Sequence, residues 1–325
     1  MTASVELMAD RLLAGERSAL SQALSVAEQS GDAYLEVRRS ISHAVKGKVV
    51  LGVTGPPGAG KSSLVNALTQ EWRARNYRVA IIAVDPSSPI SGGALLGDRV
   101  RMSAALDDDG VYVRSLSSSG TVGGLAPAVV RLIDLFDAAG FDRLIIETVG
   151  AGQSEIDVAA VADIKVVVSA PGLGDGIQAI KSGLLEVADI LVVNKSDLPG
   201  ADATVEQLRN AVSLRGSDNG FVPVVLTSAV SLDGVAALAD VADDLLKHLS
   251  SQPREERARQ RMLYMIEQAV KQLLRKKLYG TGCTDNVQSI VRSLAEGDID
   301  PRTAALEIMR DAVGERDELN DQSSA

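Results

Sequence analysis

The sequence has one cysteine, Cys283, and two histidines, His43 and His248. A single cysteine excludes an internal disulfide and any Cys-x-x-Cys metal site, and two distant histidines exclude a His-rich metal store. Aromatic residues make up only 3% of the chain, so the core has to be aliphatic. No apolar run is long enough to span a bilayer. The N-terminus carries Glu6 and Asp10 where a signal peptide would have an apolar core, which predicts a cytoplasmic protein. Positive charge is also short: 33 basic residues against 43 acidic ones leave a net charge of −10. Such a chain is a poor general binder of nucleic acid or of an anionic membrane. Aliphatic material is ample. With 46% hydrophobic residues in 325, the chain can build one large domain with appendages, or two domains.

The pattern is organised around Gly55-Pro56-Pro57-Gly58-Ala59-Gly60-Lys61-Ser62-Ser63. Gly, four residues, then Gly-Lys-Ser is the phosphate-binding loop spacing. Its glycines let backbone N–H groups turn inward around phosphate oxygens. Lys61 is placed to reach the terminal phosphates, and the Ser62 hydroxyl to ligate Mg²⁺. The flanks agree. Val49 to Val53 is a short apolar run that predicts a buried strand. Ser63 to Arg75 predicts a helix with Leu64, Ala67, Leu68 and Trp72 on one face. A strand, a glycine loop and a helix N-terminus together make an anion site from backbone dipoles.

Residues 1–45 predict a helical extension. From 46 to 250, apolar runs alternate with helical stretches. The strand candidates are 49–53, 79–84, 111–114, 144–148, 165–169, 190–193 and 222–226. Continuous rather than alternating runs fit strands buried on both faces of a sheet. The expected fold is therefore α/β, with a mostly parallel, doubly wound sheet whose ligands bind beyond the strand carboxyl ends. Residues 251–325 change character. Pro253 opens a helix rich in Arg, Glu and Gln that carries a Met262, Ile266, Ala269, Leu273 stripe, and two shorter helices follow over 286–295 and 301–313. This segment reads either as a subdomain folded back on the rest or as an arm exchanged with a second subunit.

Ile190-Leu191-Val192-Val193 runs into Asn194-Lys195-Ser196-Asp197, the guanine-reading motif of P-loop GTPases. The Asp197 carboxylate can accept from both N1–H and the 2-amino group of guanine. Adenine offers neither donor there, and a site built around such bonds rejects the wrong base strongly. Lys195 would pack its stem over the base, and Asn194 would tie this loop to the phosphate loop. Thr227-Ser228-Ala229, after the last strand, matches the weaker third element, in which a backbone amide contacts the guanine oxygen.

Three further segments fall at the predicted ligand edge. The strand ending in Glu147 is followed by Gly150, where most GTPases carry Asp-x-x-Gly. Glu147 could hold Mg²⁺ through a water, and Gly150 could offer its N–H to the γ-phosphate. Gln153 could position the attacking water or simply face solvent. Asp85, at the end of the second strand, is a candidate for the Mg²⁺ shell or for a base, with a turn-capping role as the plain alternative. Asp98, in the following glycine-containing loop, is the second acid. Pro171 to Gly176 leads to Lys181, which could reach the phosphates or remain solvated. The serine-rich loop 115–124 suggests no role.

Taken in order, Gly-Pro-Pro-Gly-Ala-Gly-Lys-Ser-Ser, Val-Asp-Pro-Ser-Ser-Pro, Gly-Asp-Arg-Val-Arg-Met, Glu-Thr-Val-Gly-Ala-Gly-Gln-Ser-Glu and Asn-Lys-Ser-Asp resemble the methylmalonyl-CoA mutase-associated GTPases. These lie within the P-loop GTPases that assist metallocentre assembly. The resemblance implies slow hydrolysis of GTP to GDP and a homodimer formed through the C-terminal arm. It also implies a chaperone role toward an adenosylcobalamin-dependent acyl-CoA mutase, gating cofactor loading and protecting the enzyme. By the same resemblance, Lys61, Ser62, Asp85, Asp98 and Glu147 match the phosphate and Mg²⁺ set, and residues 171–183 match a switch that answers to the mutase. Two other functions compete. A transport-linked ATPase or kinase, an older label for the family, is opposed by the guanine motif. A metal-delivery GTPase would need His or Cys clusters that the chain lacks.

Overall fold

The computed structural model describes residues 2–29, 31–85, 108–117, 125–148, 160–172, 184–213, 221–251, 253–279 and 285–310. These residues divide into two compact units, 1–264 and 265–325.

The first unit opens with three helices, α1 (Thr2–Leu13), α2 (Arg17–Gln29) and α3 (Asp32–Ile41). It continues with β1 (Val50–Thr54), α4 (Lys61–Ala74), β2 (Val79–Asp85), β3 (Val111–Ser117), α5 (Leu125–Ala138), β4 (Arg143–Thr148) and β5 (Ile164–Ser169). Then come α6 (Leu184–Val187), β6 (Ile190–Val193), α7 (Ala201–Ser213), β7 (Val224–Leu226), α8 (Val235–Ser250) and the start of α9 (Arg254–Tyr279). The strands form one sheet in the order β3-β2-β4-β1-β5-β6-β7, and every pairing among the described residues is parallel. The sequence predicts a mostly parallel sheet; the described part of it is wholly so.

The order follows from the burial pattern. β1 sits between β4 and β5, is buried at all five residues, and so has to be apolar on both faces. Successive connections run to one side of β1 for β2, β3 and β4, and to the other for β5, β6 and β7. That reversal leaves a crevice at the carboxyl end of β1, where ligands of open α/β sheets bind.

On one face, Leu64, Leu68 and Trp72 of α4 pack with Leu238, Ala239 and Ala242 of α8 over β1 and β5. Trp72 is fully buried, and its indole N–H donates to Asp243 Oδ1 at 3.1 Å. Asp243 is itself buried and is paired with Arg143 at 2.8 Å and Arg75 at 3.2 Å. The N-terminal helices are pinned to the sheet and to α5 by Arg38–Asp134 at 2.7 Å and Arg114–Glu28 at 2.5 Å. Asp137 of α5 accepts from the Gly47 and Lys48 amides at 2.6 and 3.1 Å, which steers the chain into β1.

The second unit holds the rest of α9, α10 (Asp285–Glu296) and a helical run over 301–310. Its small core is Ile290, Ala304 and Ile308, with Leu274, Leu278, Leu294 and Ile299 against it. Among the described residues, no helix is long and apolar enough to cross a membrane.

Candidate functional site

The phosphate loop leaves β1 at Thr54 and enters α4 at Lys61. Two of its glycines are dictated by close approach. Gly55 has φ +142°, and a Cβ there would lie 2.1 Å from the Val168 carbonyl oxygen of β5. Gly60 has φ +85°, and a Cβ there would meet the Asn194 amide nitrogen at 2.5 Å. Any larger residue would therefore push the loop off the sheet or off the base loop. Ala59 is buried, while Pro57 and Gly58 are exposed at the loop tip and Ser63 faces out from the first turn of α4.

Lys61 is buried at 5% exposure, and its ammonium donates to the carbonyls of Gly55 at 2.7 Å and Pro56 at 3.0 Å. A buried cation needs such acceptors, and these two hold it folded over the loop. The Ser62 hydroxyl donates to Glu147 Oε1. Glu147 is buried at the end of β4, in register with Val53 of β1 on one side and Ala83 of β2 on the other. Thr148, one residue on, donates to the Thr54 hydroxyl at 3.3 Å and so ties the end of β4 to the start of the loop. Sequence pattern alone offers no signal for this last contact, because it depends on β4 lying beside β1.

The base-loop candidates converge on the same edge. Asn194 is buried and serves three segments at once. Its amide N–H₂ donates to Ala59 O at 3.0 Å and Gly60 O at 3.3 Å, and its Oδ1 accepts from the Ala229 amide at 3.1 Å and the Thr227 hydroxyl at 3.3 Å. Lys195 has φ +58°, an uncommon conformation for a residue with a side chain, and its ammonium donates to Gly58 O at 2.7 Å. That bond carries the Lys195 stem across the space between the loops. Asp197 is exposed, and its Oδ1 accepts from the buried Ser228 hydroxyl at 2.6 Å. A carboxylate has about four acceptor positions, so Asp197 keeps capacity for further donors. Ser228 is thus a positioning residue through its side chain, beyond the backbone contact that the sequence predicts for this segment. The backbone amides of 227–229 are all donated already: Thr227 to Val193 O at 2.9 Å, Ser228 to Asp233 O at 2.9 Å and Ala229 to Asn194 Oδ1 at 3.1 Å.

Asp85 is the last residue of β2, opposite Ser117 of β3, so its backbone reaches the same edge, while its side chain lies outside the described residues. Asp98, Gly150, Gln153 and Lys181 also lie outside them.

A family model described as Methylmalonyl Co-A mutase-associated GTPase MeaB matches residues 20–282. A protein of Pyrococcus abyssi, provisionally named a GTPase, is 38% identical over 315 residues, covering 95% of this chain and 97% of that protein. The mouse methylmalonic aciduria type A homolog, mitochondrial, is 30% identical over 315 residues, covering 90% of this chain and 76% of that protein. Escherichia coli GTPase ArgK is 41% identical over 191 residues, 58% of each chain. Among solved structures, one named LAO/AO transport system kinase superposes with a TM-score of 0.71 at 24% identity, covering 95% of this chain and 97% of that one, a likeness of fold. With a family match across most of its length and a GTP-binding architecture, this chain belongs to the methylmalonyl-CoA mutase-associated GTPases and is a hydrolase acting on GTP.

Proposed function

We propose that this chain is a GTP-driven chaperone that assists and protects an adenosylcobalamin-dependent acyl-CoA mutase of the methylmalonyl-CoA mutase type, gating loading of that enzyme's cofactor. The observation that carries the partner is the match over residues 20–282 to a family named for that mutase. The grip of Asn194 on Ala59, Gly60 and Ala229 supports guanosine nucleotides as the switch ligand.

In the proposed cycle, Asp197 accepts from guanine N1–H and the 2-amino group while Ser228 holds its carboxylate in place. Contact of this segment with the guanine oxygen requires the Ala229 N–H to exchange Asn194 Oδ1 for the base. Lys61 leaves the Gly55 and Pro56 carbonyls and takes the terminal phosphates, where its charge counts most as the γ-phosphoryl group departs. The α4 N-terminus and the loop amides of Gly58, Ala59 and Gly60 cradle the phosphates, Pro56 and Pro57 having no N–H to offer. The hydroxyl of Ser62 and the carboxylate of Glu147 are hard oxygen donors already turned toward each other, a donor set that fits Mg²⁺. Asp85 and Asp98 are assigned to the same shell. Mg²⁺ bound there would neutralise charge on the β- and γ-phosphate oxygens. Gly150 is assigned to the γ-phosphate, Gln153 to the attacking water and Lys181 to a switch that reports to the mutase.

The helical segment 251–325 is assigned to homodimer formation. Met262, Leu263, Ile266, Val270 and Leu273 are all at least 43% exposed on α9, an apolar stripe that suits a second copy. The cytoplasm is the proposed location. Single-turnover GTP hydrolysis by the full chain, with and without an adenosylcobalamin-dependent mutase that co-purifies with it, tests the proposal. A rate that the mutase changes severalfold, together with GTP-dependent co-purification, is expected. Association and turnover indifferent to each other would overturn it.

A further inference from the structure

A cavity of about 540 Å³ lies at the opposite edge of the sheet from the nucleotide site. Its lining includes Arg17 at the start of α2, Arg73 near the end of α4, Arg78 just before β2, and Leu12, Leu20 and Phe141. β2 runs seven residues from Val79, next to Arg78, to Asp85, which separates the two edges by about 20 Å at strand rise.

The three guanidiniums are held in place. Arg17 donates to Val111 O at 2.9 Å and stacks 4.8 Å over the Tyr112 ring. Arg78 donates to Ala139 O at 2.8 Å and stacks 4.5 Å over Phe141. Arg73 pairs with Asp108 at 2.8 Å and lies so close to Gly110 that a Cβ there would meet its guanidinium carbon at 2.1 Å. Among the described residues, neither Arg17 nor Arg78 forms an ion pair within 4.0 Å. Among the described residues, Asp109 is the one acid in the lining, and Asp108 engages Arg73 beside it, so three arginines face two acids. On a chain of net charge −10, this concave site keeps a positive balance, carried by Arg17 and Arg78.

We propose that this cavity is a second ligand site, separate from the nucleotide, for a small anion whose phosphate or carboxylate head sits between Arg17, Arg73 and Arg78. The guanidiniums of Arg17 and Arg78, fixed by stacking, keep donors free for such a head and lose little entropy on engaging it, while Arg73 already donates to Asp108 and to the Tyr77 carbonyl. The site also joins the N-terminal helices to α4, the helix that begins with Lys61 and Ser62.

The test uses the full chain saturated with GDP, titrated with inorganic phosphate or with succinate at constant ionic strength against a sodium chloride control. Saturable binding of one equivalent is expected for at least one probe, and which probe binds identifies the head group. Arg78→Gln should weaken that binding at least tenfold while GDP affinity stays within twofold. Arg17→Gln, at an exposed position, should do the same and replaces the Arg78 variant if that one fails to fold. Absence of saturable binding by either probe, or equal affinity in the wild type and both variants, would overturn the proposal. The second result would place any phosphate bound at the nucleotide loop.

Discussion

The side-chain amide of Asn194 donates to the carbonyl of Ala59 at 3.0 Å across 135 residues of chain. This contact, with those to Gly60 and Ala229, makes one buried side chain the joint between the phosphate loop, the base loop and the segment after β7. Asn194→Ala removes all of them and leaves the Ala59 carbonyl, the Ala229 amide and the Thr227 hydroxyl short of a partner, while the Gly60 carbonyl keeps the Leu64 amide. An unsatisfied buried group costs about 1–3 kcal/mol. GDP affinity should fall at least tenfold and the urea midpoint should drop; unchanged values of both would contradict the role assigned to this residue.

The Ser62–Glu147 contact predicts how the nucleotide and metal requirements are linked. Glu147→Gln keeps the hydrogen bond but loses the charge, so Mg²⁺-dependent tightening of GTP binding should weaken and kcat should fall on the order of a hundredfold. Lys61→Ala should abolish tight binding or turnover. Wild-type hydrolysis by either variant, measured as phosphate release at saturating GTP, would refute the assignment.

Base choice should follow Asp197. Asp197→Asn turns one acceptor oxygen into an N–H donor, which suits the 2-carbonyl of xanthine better than the 2-amino group of guanine. Ser228 donates to this carboxylate at 2.6 Å and should hold the asparagine in the same orientation. The variant should lose GDP affinity by orders of magnitude and gain XDP affinity. Competition against a fluorescent nucleotide measures both, and an unaltered order of preference would show that Asp197 does not read the base.

Asp163 precedes β5 and supports a wider region than its position suggests. It accepts from the Val50 amide at 2.7 Å and pairs with Arg257 at 4.0 Å and with Arg261 of α9. All three side chains are at most 12% exposed. Removing the acid strands Arg261 and leaves Arg257 with only the Leu249 and Gly47 carbonyls, and breaking such a buried pair typically costs about 3–5 kcal/mol. Asp163→Ala should therefore lower the chemical-denaturation midpoint far more than Asp240→Ala, whose carboxylate is 67% exposed in its pair with Arg75.

Acid should release another pair. The Arg73 guanidinium, and then the Gly110 amide, hold the Asp108 carboxyl below its ordinary range. A carboxylate with a depressed folded-state pKa stabilises the fold above its unfolded value, and that contribution is lost as pH falls through the folded value. The stability gap between wild type and Asp108→Asn should thus be constant near neutrality and close below about pH 4. Urea midpoints measured from pH 6 to pH 2 test this, and a gap that widened on acidification would reverse the sign.

Much of the nucleotide loop was legible because its chemistry is local. Gly55 to Ser63 is a contiguous stretch, and β1 and α4 beside it are an apolar run and a one-faced helix whose ends fell within two residues of expectation. The strands after it were found for the same reason, although β3 runs to Ser117, three residues past its expected end, because pairing with β2 continues along its whole length. The roles of Ser228 toward Asp197, Thr148 toward Thr54 and Asp163 toward α9 were not legible. Each joins residues whose separation in the chain says nothing of their distance in space.

The sequence by itself determined that a phosphate loop and a guanine-type loop exist and that buried strands precede each of them, since spacing and hydrophobic runs are written residue by residue. Only the tertiary structure decided that β4 enters between β1 and β2, which sets Glu147 against Ser62, and that β6 lies beside β5, which sets Asn194 against Ala59. Strand order is chosen by how the crossover helices pack on the two faces, a property of the whole assembled core that no single segment carries.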